Sequence, residues 1–267
     1  FVIGCNMSAE GVAIASAIAQ WVSAILIMIH LLHRKDCCRI CLNKLRFHRL
    51  ASKRVLLIGV PSGLQNAIFA VANLFVQAGL NSFDEITVSG AAAAANADTL
   101  VFNMMAAFYT ACASFVSRNW GAGRNDRIRK SYYISMLYAS IVGAVAGVLL
   151  LILGRQFLGF FADKPEVIDA GVDRLRIMAF SYFIAPLMDA SIAASRGLGR
   201  SVAPTVMVII GSCVFRVVWI YTVFAFFHTI TSLYLLYIVS WIITGVAEAI
   251  YFRITYKKCV LQKTMTW

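Results

Sequence analysis

The side chains able to do chemistry in this sequence are the few polar ones set inside long apolar runs. Asp189 stands deepest, in a run that also holds Pro186 and continues with Ala190, Ser191, Ala193 and Ala194. A carboxylate in such a place is costly while charged, and it can exchange a proton, or trade a proton for a cation, when water reaches it. Arg216, in the following run, offers it a structural ion-pair partner, so Asp189 reads either as a titrating group or as half of a pair. Asp98 lies between Asn96 and Asn103 in an alanine-rich run that allows close helix packing. Gln65, Asn66, Asn73 and Gln77 follow Pro61-Ser62-Gly63 in an earlier run. Such amides either bond helix to helix, at about 0.6 to 2 kcal/mol per contact, or line a water-filled path. Glu248 lies nearer the end of the last run, where the interface is expected to solvate it.

Around these groups, 61% of the chain is drawn from AVILMFWYC and 13% is charged, with a mean hydropathy of +0.79. Soluble domains run at about 45–50% and about 25%, so an ordinary soluble globule is excluded. The 18 Phe, 10 Tyr and 5 Trp likewise exclude a solvated, disordered chain. The solvent for this chain is a bilayer, with which it makes its largest contact.

Seven apolar runs reach the roughly 20 residues a helix needs to cross the hydrocarbon core. They lie at 11–32, 55–79, 86–116, 132–153, 175–194, 203–227 and 232–252. The runs lack the short alternation of a barrel, so the fold class is an all-α polytopic membrane protein of about seven transmembrane helices. Basic residues fall on alternate connections: Arg34 to Arg54 between the first two runs, Arg118 to Lys130 between the third and fourth, Arg196 and Arg200, and Arg253 to Lys263 at the C-terminus. The opposite side has Arg155, Lys164, Arg174 and Arg176, matched by Asp163, Glu166, Asp169 and Asp173. The basic excess therefore sets orientation and not nucleic-acid binding, and it places the C-terminus in the cytoplasm of a multi-pass protein of the cell membrane. The same count puts Phe1 outside although no signal precedes it, which leads us to expect a piece of a longer chain with an odd number of earlier helices. Two inner turns echo each other, Trp120-Gly121-Ala122-Gly123-Arg124 and Arg196-Gly197-Leu198-Gly199-Arg200, each with glycine where a helix cap is expected.

Seven cysteines spread over apolar runs and one basic loop show no disulfide framework. His33, Cys37, Cys38, Cys41 and His48 share that loop, but their spacing fits no standard zinc finger, and reduced thiols without metal are expected. No phosphate loop, HExxH motif or nucleophile elbow is present, so nothing points to an enzyme.

Three strings are specific to a family. Gly59-Val60-Pro61-Ser62-Gly63-Leu64-Gln65-Asn66, Phe115-Val116-Ser117-Arg118-Asn119-Trp120-Gly121-Ala122-Gly123, and the segment from Asp189 to Pro204 resemble the multidrug and toxic compound extrusion (MATE) transporters. The segment from Gly11 to Gln20 looks like the sixth helix of that family. The resemblance covers nearly the whole chain and is nearest to bacterial branches. It implies twelve helices in two six-helix lobes. Here residues 1–33 would be the last helix of an otherwise absent first lobe, 34–54 the basic interlobe loop, 55–256 the second lobe, and 257–267 a cytoplasmic tail.

The implied activity is export of organic cations or other amphipathic compounds, coupled to inward flow of protons or sodium, with no cofactor. The acidic residue of the family's tenth helix falls on Asp189. Some branches carry a glutamate at about the position of Phe69, a departure that bears against sodium binding and leaves Asp189 the main candidate of this lobe. We therefore expect Asp189 and Asp98 to couple the cation, and Gln65, Asn66, Asn73, Asn96, Asn103, Tyr182 and Arg216 to line the substrate cavity. The expected partners are small amphipathic or cationic substrates, the bilayer and the missing first lobe of the same chain, with no nucleic acid. The alternatives are a flippase for lipid-linked glycans of the same superfamily, which would need a basic cavity, and an inactive truncated membrane subunit.

Overall fold

A computed structural model describes residues 9–35, 39–41 and 46–265. Each apolar run is a helix: α1 Ala9–His33, α2 Arg49–Leu80, α3 Glu85–Gly121, α4 Asn125–Leu158, α5 Pro165–Gly197, α6 Val202–Phe227 and α7 Ile230–Met265. All seven are long and apolar enough to span a membrane, and the described residues contain no strand. The helices outrun the apolar runs into their charged flanks. Thus α5 begins at Pro165, well ahead of the apolar run at 175, with the proline in the first turn where its missing N–H costs nothing.

The chain divides into two units, Phe1–Ser52 and Lys53–Trp267. The first holds α1, which is apolar on every face as expected of a helix among lipid tails. The second holds the six-helix bundle, in which α5 is central and packs on α3, α4 and α7. The outer face of α4 presents Ile141, Val145, Val148 and Ile152; a soluble protein would hide such a stripe, whereas acyl chains match it.

Helix ends are set by short local devices. Asp84 caps α3, its Oδ1 accepting from the Thr87 hydroxyl at 2.7 Å, and that bond holds the exposed carboxyl below its usual pKa. After α3, the Gly123 N–H donates to the Trp120 carbonyl and the Arg124 N–H to that of Asn119. After α5, the Gly199 N–H donates to Arg196 and the Arg200 N–H to Ser195 in the same pattern. Gly123 and Gly199 stand at φ 72° and 78°. Both turns are thus Schellman caps, which need a left-handed residue just past the helix, and the echo seen in the sequence is an echo of geometry.

The bundle closes where side chains are absent. Pro186 deprives the Tyr182 carbonyl of its helical donor, and Gly143 of α4 lies so close to that carbonyl that a Cβ would overlap it. One turn along, a Cβ on Gly147 would stand 2.9 Å from the Ala179 carbonyl. On the other side of α5, Gly171 and Gly90 of α3 meet backbone to backbone, a Cβ on Gly90 falling 2.8 Å from the Gly171 nitrogen. Small residues four apart are how membrane helices approach closely without a hydrophobic drive.

The α4–α5 contact yields a test. Gly143→Val should lower stability by about 1–3 kcal/mol through overpacking, read as a fall in melting temperature in detergent. Gly121→Ala, whose Cβ would meet nothing within 4 Å, should melt as the parent does.

Candidate functional site

A cavity of about 400 Å³ opens between α2, α3, α5, α6 and α7. Its charged lining is Asp98, Arg174, Asp189 and Arg216; Phe69, Phe102, Met178, Met188, Tyr237 and Trp241 supply most of the rest. It therefore joins two acids and two bases in an aromatic and methionine-rich wall.

Asp98 is fully engaged. One carboxylate oxygen takes the Arg174 guanidinium in an ion pair, and the other accepts from the hydroxyl of buried Tyr182. Arg174 also donates to the Ala91 carbonyl and stands 5.4 Å from the Tyr234 ring. The pair bolts α3 to α5 next to the Gly90–Gly171 approach, and it balances its own charge inside the membrane.

Arg216 has no such partner. It is fully buried, its Nη1 donates to the Asn73 carbonyl oxygen at 2.8 Å, and its Nε and Nη2 find no hydrogen-bond acceptor among the described residues. Aromatic faces stand in for a counter-ion, Phe69 and Tyr237 each at 4.5 Å and Trp241 at 5.9 Å. Phe69, the departure noted in the sequence, is therefore the floor under a buried cation. Arg216 sits on the short α-helical stretch Phe215–Trp219 between two π-helical segments, Ile209–Val214 and Ile220–Phe224. Such bulges often re-aim side chains at functional sites.

Asp189 is half-buried and lines the cavity, with no hydrogen bond or ion pair to another described side chain. The ion pair with Arg216 considered from the sequence is not formed, because Arg216 turns to α2 and Asn73 instead. Arg196 and Tyr109 lie within electrostatic range of Asp189.

Of the residues named from the sequence, Asn73, Asp98, Asp189 and Arg216 meet at the cavity, and Tyr182 stands behind Asp98. Gln65 is buried elsewhere and accepts from Arg196 Nη2 at 2.8 Å. Asn66 and Asn103 are exposed, and Asn96 turns its amide back to the Ala93 carbonyl at 3.2 Å. Glu248, expected at the interface, is instead completely buried, because α7 continues far past it and the neighbouring helices close over it. Cys37 and Cys38 of the basic loop lie outside the described residues. Among those described, Cys41 is exposed and no three His, Cys, Asp or Glu residues gather.

Sequence reasoning missed Arg174, which was counted with the outer charges. Arg155 and Arg176 do pair there, with Asp169 and Asp173 at 2.9 Å each. A signal was present, since stepping back from Asp189 along one helix face gives Ala185, Tyr182, Met178 and then Arg174.

Residues 61–222, more than half of the chain, match the family model described as MatE. The chain belongs to the MatE family. It is 24% identical over 131 residues to the probable multidrug resistance protein YpnP of Bacillus subtilis, covering 49% of this chain and 29% of that one. With the probable multidrug resistance protein NorM of Thermotoga maritima it shares 21% over 214 residues, 77% of this chain and 44% of the other. Its fold superposes on a MOP superfamily transporter from Pyrococcus furiosus with a TM-score of 0.87 at 16% identity, covering 97% of this chain and 59% of that one. This MatE chain thus spans less than half the length of the curated relatives it matches.

The ion pair makes a prediction about the bundle. Removing one member, as in Arg174→Met, should cost about 3–5 kcal/mol, because the other charge is stranded in the apolar interior. Arg174→Met with Asp98→Leu should recover much of that loss. Thermal unfolding of the two single variants and the double one measures the coupling; additive losses would show that the two charges do not depend on each other.

Proposed function

We propose that this lobe belongs to a multidrug exporter that moves organic cations or other amphipathic compounds outward in exchange for an inward-moving cation. The reading rests on a single observation: Asp189 faces the cavity half-buried, among Phe102, Met178, Met188 and Trp241, with no hydrogen bond or ion pair among the described residues. Such a carboxylate can hold a cationic, aromatic-bearing substrate or a coupling cation, but not both at once, and competition of that kind is what exchange requires. Aromatic rings and methionine sulfurs suit the apolar body of such substrates. Family membership points the same way, toward transport and not catalysis.

Of the two acids named for coupling, Asp98 has its charge committed to Arg174, so the exchange falls on Asp189. With Phe69 in place of a further carboxylate, a proton is the better-supported coupling ion than sodium, which would want more oxygen ligands. The missing first lobe would complete the cleft, and rocking of one lobe against the other would give alternating access. On this reading the membrane is the cell membrane and the basic loops and C-terminus are cytoplasmic.

One observation favours the flippase alternative, namely that two arginines border the cavity. Arg174 is neutralised by Asp98, however, and Arg216 is packed behind aromatic rings, so the accessible charge of the cavity is that of Asp189.

In the full-length protein, Asp189→Asn should abolish drug resistance with expression unchanged, and it should lower transport by about a hundredfold in vesicles, the low end of what a positioned proton-transfer group contributes. Full resistance in that variant would remove Asp189 from the mechanism.

A further inference from the structure

We propose that Glu248 of α7 is a second proton-binding site of the lobe, and that Arg196 of α5 switches its partner between Gln65 and Glu248 as that proton comes and goes. The proposal deepens the export reading in its proton-coupled form.

Glu248 is wholly buried, and neither carboxylate oxygen has a hydrogen-bond partner among the described residues. The face it occupies is fixed by its neighbours. Thr244, one turn away, shares a 2.9 Å bond with Ser212 of α6, and a Cβ on Gly245 would stand 3.3 Å from the Met188 nitrogen of α5. Glu248 is thus turned into the seam between α5 and α6. A carboxylate left unmatched there would be very costly, whereas the protonated acid carries no charge to match.

Arg196 lies within electrostatic range of Glu248 but makes no ion pair with it. Its Nη2 is given to Gln65 of α2, and its Nε is buried without a partner among the described residues. Asp189 on α5 and Tyr109 on α3 are the other titratable groups within range of Arg196. Ser195 of α5, together with Ser201 and Thr205 at the start of α6, carries buried hydroxyl oxygens without a partner among the described residues. This end of the lobe therefore holds a neutralisable acid and a permanent cation with a donor still to give.

Two arrangements follow. With Glu248 protonated, Arg196 stays on Gln65 and ties the basic half of α2 to α5. When the proton passes to water at the basic end, the carboxylate draws Arg196 across to α7 and the tie to α2 is released. The outer half of α2 stays fixed in both states, because Asn73 is held by Arg216 and Gly79 packs on Leu233 and Phe224. Loss of one proton thereby frees one half of one helix, the helix that leads back into the basic interlobe segment.

The test uses the full-length protein in lipid and needs no substrate. As pH is raised from about 5 to about 9, a range that brackets buried carboxyls, infrared difference spectra should show loss of a protonated-carboxyl band. That band should be missing from Glu248→Gln and present in Asp189→Asn. Glu248→Met, of similar length, serves equally should the amide variant not fold. Spin labels at the exposed positions Leu57 and Val202 should move apart over the same pH range in the parent and stay fixed in Glu248→Gln. A band undiminished in both Glu248 variants overturns the proton site, and a pH-independent label separation in the parent overturns the switch. Failure of the export reading would appear elsewhere, as full resistance in Asp189→Asn.

Discussion

The bundle is organised around one charge that had to be satisfied inside the membrane. Arg174 sits well within α5, and a guanidinium cannot shed its charge. It is met by Asp98 of α3, and Tyr182, two turns further along α5, occupies the other carboxylate oxygen. For these groups to meet, α3 and α5 must run almost in backbone contact, which Gly90, Ala91, Ala94 and Ala97 on one side and Gly171 on the other permit. Close approach and ion pair therefore require each other: bulkier residues would part the charges, and without the charges there is little to hold two alanine-rich surfaces together in lipid. Phe102 stacks edge-on against both Tyr182 and Trp241, so the same junction shapes the cavity wall.

The two arginines that reach α2 are treated differently. Arg196 and Arg216 each give one hydrogen bond to an amide of α2, Gln65 and Asn73 respectively. An amide oxygen satisfies a donor without cancelling its charge, so both guanidiniums keep part of their demand. These bonds are weaker than an ion pair between desolvated charges and are easier to exchange. They fall on α2, whereas the strong pair lies between α3 and α5. The stronger link thus holds α3 to α5, and the more readily exchanged ones hold α2.

Several features were legible in the chain because they depend on neighbours in sequence. The seven spans follow from hydropathy, and the two glycine caps follow from spacing, since a Schellman turn is closed by residues within six positions. The resemblance carried by the Pro61 to Asn66 string and the Asp189 to Pro204 segment was also sound as to family. For single side chains the same reasoning reached less far. The amides of α2 were open between cavity lining and interhelical bonding, and the structure sends Gln65 and Asn73 to arginines, Asn73 at the cavity and Gln65 away from it. Arg174 looked like an outer charge because the apolar run begins after it, although the helix that carries it begins earlier.

What the amino-acid order determined by itself is the solvent, the number of crossings, the alternation of charged connections and the caps, all of which are settled within a few turns of chain. What only the tertiary structure decided is which charge meets which. Asp189 was left without Arg216, Asp98 was claimed by Arg174, and Glu248 was closed over by its neighbours. The physical reason is that a buried charge is priced by everything within a few ångströms of it, and in a helical bundle those neighbours come from segments tens of residues away.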